Sequence, residues 1–158
     1  MRFLTPAALD ALVLQAQQSP RRRANLNLHD TLDAPVQRLA IAMEPDTVVM
    51  PHRHPQTFEL LYPLRGRFLV LHFDAVGTVK QREVLGEDCA VIENLPGAWH
   101  AVLSLDTGGV IFEVKQGPYV AVAEADTAPW SRTASPAEAQ ALLAWYGQAR
   151  IGERFAAH

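Results

Sequence analysis

Between residues 23 and 122 the chain shows no helical spacing of apolar residues. Instead, short runs rich in Val, Ile, Leu and Phe recur between Gly, Pro and Asp. VQRLAIAM (36–43), FELLYPL (58–64), RFLVLHF (67–73), AVIENL (90–95), WHAVLSL (99–105) and GVIFEVK (109–115) each have the length of one strand. The separators Glu44-Pro45-Asp46, Arg65-Gly66, Val76-Gly77, Pro96-Gly97 and Gly108-Gly109 carry residues that favour turns. Many short strands at this spacing predict an all-β antiparallel sandwich or barrel.

Helix signals are confined to the two ends. Thr5 can cap, Pro6 suits the first helical position, and Leu9, Leu12, Val13 and Ala16 share a face, predicting a helix over about 6–17. Ser135-Pro136-Ala137-Glu138 is a capping box, and Leu142, Leu143 and Tyr146 follow as the apolar face of a helix over about 136–149. With no repeat and no long linker, the chain is expected to form one domain over 1–158, its barrel over about 23–122.

Composition narrows the function. The 158 residues are 49% hydrophobic and 20% charged with a net charge of −3, so the basic surplus that nucleic-acid binding relies on is missing. No apolar run reaches the ~18 residues of a membrane span. The first residues carry one Arg, an interrupting Asp10 and no small-residue cleavage site, so a reducing cytoplasm is the expected location. Cys89 is alone and follows Glu87 and Asp88, which would raise its pKa, so it is read as a semi-buried small residue rather than a nucleophile.

One stretch carries the chemistry: PHRHPQTFELLYPLRG, residues 51–66. On a strand, positions two apart face the same way, so His52 and His54 can converge on one ion. Glu59 lies at an odd offset from His54. Pro55 allows the chain to turn before a strand that starts near Thr57, which restores Glu59 to the same side. Gly66 supplies the turn that follows, and His100 comes directly after Pro96-Gly97 on a later strand.

HRHPQTFELLYPLRG resembles the first cupin motif, His-x-His, a few residues, Glu, six residues, Gly, and PGAWH resembles the second. Together with RRRANLNLHD, VQRLAIAM and FEVKQGPY in this order, the chain is similar over about residues 20–135 to the WbuC family of cupin-fold metalloproteins. The resemblance implies a double-stranded β-helix, or jelly-roll, barrel holding a divalent metal through His52, His54, Glu59 and His100. It also implies a bacterial protein encoded among genes for surface polysaccharides. Asp46 stands where the first motif begins with Gly, Leu95 where the second has Pro, and Ser104 where it has Asn.

Three imidazoles and a carboxylate suit one divalent transition metal ion, Zn, Fe, Ni, Cu or Mn, with positions left for water or a bidentate ligand. A further possibility is that Glu59 acts through water beside the ion rather than on it. Arg23, Asn25, Asn27 and His29 recur with period two and would line one strand face, either as a solvated edge or as a wall contacting an anionic or hydroxyl-rich ligand. Arg21 and Arg22 are expected as surface charges, although a triple-Arg run can also hold a phosphate or carboxylate. In VIFEVKQGPY, Glu113 and Lys115 share a face; turned to the barrel mouth they are a candidate general base and an anion anchor, with Tyr119 as hydrogen-bond donor or proton relay. Arg53 should point away from the site, His72 is read as structural, and Trp130 and Trp145 should anchor the second helix. His158 is set aside as terminal.

These readings predict a metal-dependent enzyme acting on a polar, sugar-derived or anionic small molecule by isomerase, epimerase, hydrolase or lyase chemistry. The alternatives are a non-catalytic metal-dependent binding or sensor module and an Fe(II) dioxygenase. Neither nucleic acid nor membrane is expected as a partner, and edge-strand pairing predicts a homodimer.

Overall fold

The computed structural model describes residues 1–131, 133 and 135–156, so His158 lies outside the described residues. Helix α1, Pro6–Gln18, is capped by Thr5, whose hydroxyl accepts from the Ala8 amide. Strands follow in the order β1 Arg23–Asn27, β2 Val36–Met43, β3 Glu59–Arg65, β4 Phe68–Phe73, β5 Val79–Leu85, β6 Ile92–Asn94, β7 Trp99–Ser104 and β8 Gly109–Gln116. Two short 3₁₀ turns lead to α2, Pro136–Gln148, where Ser135 accepts from the Glu138 amide as the capping box requires.

The strands form two antiparallel sheets, β1-β2-β8-β3-β6 and β5-β4-β7. Period-two alternation distributes their side chains among three apolar clusters. Ala40, Ala42 and Val110 face outward from the larger sheet and bury Leu12 and Ala16 of α1. On the outer face of the smaller sheet, Leu69, Leu71, Ala101 and Leu103 bury Leu142, Leu143 and Tyr146 of α2, with Trp130 and Trp145 packed alongside. Between the sheets lie Ile41, Met43, Leu61, Phe68, Val70, Leu85, Val102 and Ile111. This is a cupin-type jelly roll, the fold class expected from the sequence.

Several boundaries differ from expectation for local reasons. The helices run to Gln18 and Gln148, each within a residue of the expected end. The last strand, expected over 109–115, runs to Gln116 and stops where Gly117-Pro118 follows, since Pro118 has no amide to give a ladder. The strand VKQREVL was not singled out in the sequence; its Lys80, Gln81 and Glu83 hide the alternation of an edge strand. Gly66 connects β3 to β4 with φ +73°, and a Cβ there would lie 3.3 Å from both Asp106 Cβ and Gly109 Cα. Only glycine meets both demands without strain.

Candidate metal centre

The segment that carries His52 and His54 is not a regular strand. Pro51 and Pro55 interrupt it, and β3 begins at Glu59 instead of near Thr57. Only His52 pairs, exchanging backbone hydrogen bonds with His100 at 3.0 and 2.9 Å along the free edge of β7. The His54 carbonyl accepts from the Gly97 amide at 2.8 Å, which ties the segment to the turn that precedes His100. Glu59 opens β3 of the larger sheet and His100 lies on β7 of the smaller one, so the four side chains meet between the sheets.

Each of His52, His54, Glu59 and His100 offers one ligand atom, and these atoms lie within 4.8 Å of one another. The ring centroids are 4.5 Å apart for His52 and His100, 5.1 Å for His52 and His54, and 5.8 Å for His54 and His100. Backbone carbonyls set two of the imidazoles: the Nδ1 of His52 donates to Met50 O at 2.9 Å and that of His100 to Ala98 O at 3.0 Å. Nδ1 then carries the proton, which leaves Nε2 as the ligand atom. The Nε2 atoms of His54 and His100 are buried and have no aligned hydrogen-bond partner, although Glu59 oxygens lie 3.4 and 3.1 Å away. Buried imidazole nitrogens left open around one carboxylate are the donor set a divalent cation fits.

Glu59 is held from behind. Asn94, its partner across β3 and β6, donates through Nδ2 to Glu59 Oε2 at 3.0 Å, and Asn94 Oδ1 accepts from His72 Nε2 at 2.6 Å. His72, read from the sequence as structural, therefore supports the cluster's carboxylate at one remove. Its own Nδ1 is buried without a partner. Sequence inspection missed Asn94, because nothing in AVIENL marks the Asn as facing Glu59 until the register of β6 on β3 is known.

Electrostatics follow from burial and proximity. Burial and then the neighbouring His100 lower the His52 imidazole to about 4. Burial works against an imidazolium at His100, but the Glu59 carboxylate outweighs it and the pKa is raised. Conversely, burial alone would raise Glu59, and the imidazoles of His100, His54 and His52 instead hold it well below the usual carboxylate range.

Arg23, Glu113, Lys115 and Tyr119 line the same cavity of about 430 Å³ as the four-residue cluster. Lys115 Nζ lies 2.9 Å from Glu113 Oε1 and 4.0 Å from Glu59 Oε1. Burial and the charge of Glu59 push the Glu113 carboxyl up against the opposing pull of Lys115 and Arg23. Lys115 is shifted down by its burial and up by Glu113 and Glu59, which prevail. Asn25 and Asn27 are exposed on the edge strand β1, His29 is buried beyond its end, and all three border an adjoining cavity. Arg21, expected as a surface charge, is exposed but borders both cavities. Arg53 does point away, pairing with Asp126 at 2.8 Å with its guanidinium carbon 4.6 Å above the Trp99 ring. Burial, with Glu83 and Asp88, raises the Cys89 thiol, away from nucleophilic use.

The departures from the cupin motifs each have a local account. Asp46 accepts two hydrogen bonds from Arg22 Nε at 3.1 and 3.0 Å. Ser104 donates to Asp106 O at 2.9 Å, and Leu95 projects into solvent beside the Pro96-Gly97 turn. None touches the four-residue cluster.

Comparison with solved structures agrees with the fold. TT1209 from Thermus thermophilus aligns over 73% of this chain and 97% of its own, with 17% identity and a TM-score of 0.54. KdgF from Halomonas sp. aligns over 65% of this chain and 85% of its own, with 14% identity and a TM-score of 0.51. None of the curated proteins matches the chain. Fold and site together define a cupin barrel with a His/Glu cluster suited to a metal ion. Residues 4–85, just over half of the chain, match the family described as domain of unknown function DUF6016, and the chain belongs to that family.

Proposed function

We propose that the protein is a metal-dependent cupin enzyme in which His52, His54, Glu59 and His100 hold one divalent transition metal ion. The observation that carries this reading is the convergence of four ligand atoms within 4.8 Å, with two buried imidazole nitrogens lacking an aligned hydrogen-bond partner. When bound, such an ion supplies a Lewis acid for a carbonyl or hydroxyl group. The chain's own residues do the rest. Lys115 and Arg23 attract an anionic group, and the Tyr119 hydroxyl offers a hydrogen bond at the rim. Glu113, raised by burial and by Glu59, takes and returns a proton at the carboxylate oxygen not paired with Lys115.

A buried carboxyl that exchanges protons beside an electrophilic site favours isomerisation or epimerisation next to a carbonyl, with hydrolysis and lyase chemistry as neighbouring uses of the same groups. The likeness of the motifs to the WbuC family supports a sugar-derived substrate from a surface-polysaccharide pathway. Metal analysis of protein purified without chelators should give one ion per chain, and adding Zn, Ni, Mn or Fe(II) to stripped protein should raise its Tm. Protein that holds no metal and gains no stability from any of these ions would overturn the reading.

A further inference from the structure

Beyond the metal cluster, the larger sheet keeps a second polar compartment. Arg23, Asn25 and Asn27 of β1 oppose Met43, Ile41 and Leu39 of β2, and Met43 and Ile41 belong to the layer between the sheets. Asn25 and Asn27 join His29 around a cavity of about 360 Å³. Arg23, Glu113, Lys115 and Tyr119 border this cavity and the one at the cluster alike, so the two compartments share a wall.

The chemistry of the second compartment is that of a donor set. The Arg38 backbone meets His29 Nδ1 with its amide at 3.0 Å and its carbonyl at 3.1 Å, so Nδ1 is engaged in either tautomer. His29 is 5% exposed, and its Nε2 is buried without a hydrogen-bond partner. A buried ring nitrogen left without a partner is unfavourable until a polar ligand atom meets it. Among the described residues, Arg23 and Arg21 have no carboxylate within ion-pair distance, whereas Lys115 already has Glu113 at 2.9 Å. The half-buried Arg23, drawn toward Glu113 without pairing to it, and the exposed Arg21, Asn25 and Asn27 match a carboxylate or phosphate followed by hydroxyl groups.

We infer that this compartment takes the anionic far end of an elongated polyhydroxy acid whose near end sits at the metal cluster, an inference that rests on the metal reading above. A two-carbon acid is too short to address both compartments, whereas a six-carbon acid with an anion at each end offers one charged group to each.

Calorimetry with gluconate, glucarate and 6-phosphogluconate, on zinc-loaded and on metal-free protein, tests it. Glucarate or 6-phosphogluconate should bind at least about tenfold more tightly than gluconate, and whichever is tighter identifies the far anion as carboxylate or phosphate. Arg23→Gln and Asn25→Asp should each remove that excess while zinc stoichiometry stays at the wild-type value. His29→Asn keeps an acceptor for the Arg38 amide, so it should fold and lose part of the excess. The proposal is overturned if neither two-ended acid exceeds gluconate, if the excess survives Arg23→Gln and Asn25→Asp, or if neither shows saturable binding up to about 10 mM. One ion bound without the excess removes the second compartment alone. The excess persisting in protein that never takes up zinc removes the metal reading alone.

Discussion

The two ends of the space between the sheets are built from the same strands and differ within two residues. Along β8, Ile111 is followed on the same face by Glu113 and Lys115; on β7, Val102 by His100; on β3, Leu61 by Glu59; on β4, Val70 by His72. One end is closed by Phe68, Val70, Leu85 and Ile111, and the other holds three histidines, two glutamates and a lysine around a cavity. Strand pairing positions both ends equally well, but the first gains its stability from apolar burial and the second only from the pairing of its charged groups. The polar end desolvates charged groups and depends on the packed end to hold it in place.

The largest effect should come from emptying the closed end. Phe68 is fully buried, so Phe68→Ala should lower unfolding stability by about 3–5 kcal/mol in chemical denaturation. Metal stoichiometry of the remaining folded fraction should be unchanged. At the open end the pattern should reverse. His52→Ala should abolish the metal-induced rise in Tm while costing the metal-free protein only about 1 kcal/mol, since burial keeps His52 neutral over most of the pH range and its influence on Glu59 is weaker than that of His100 and His54.

The contrast also has a pH dependence. The raised pKa of His100 contributes stability that is present below its ordinary 6.5 and lost as pH rises through its folded value. The lowered pKa of Glu59 contributes stability present above its ordinary 4.5 and lost as pH falls through its folded value. In the metal-free protein the pair therefore contributes most between these two ordinary values. An ion must displace the His100 proton, so the metal-induced Tm gain should be larger at about pH 8 than at about pH 5.5, a difference thermal scans at both values will read. Asn94→Ala should weaken metal binding by about 10- to 100-fold in competition with a chelator, with little loss of fold. Asp46→Ala is the smallest change: its ion pair with Arg22 is solvent-exposed, so the cost should stay at or below about 1 kcal/mol and metal binding should not move.

The packed end was legible in the sequence because its period-two alternation is the strand itself, and VQRLAIAM falls residue for residue on β2. The ligand candidates were legible because their residue types are costly to bury without a purpose. What supports them was not. Asn94 and His72 reach Glu59 only through the register of β6 on β3 and of β4 on β7, and sequence spacing does not encode pairing between strands so far apart. The carbonyls that orient His52 and His100 belong to Met50 and Ala98, residues whose side chains gave no hint. The polar row of β1 showed its period but not its surroundings, since an edge strand facing solvent and one facing a cavity have the same alternation.

The most direct test of the central claim is anomalous diffraction from crystals grown with zinc, collected on both sides of the zinc absorption edge. The account predicts one strong peak, flanked by the Nε2 atoms of His52, His54 and His100 and by the Glu59 carboxylate. No peak among those four residues, with zinc bound elsewhere or not at all, would contradict it.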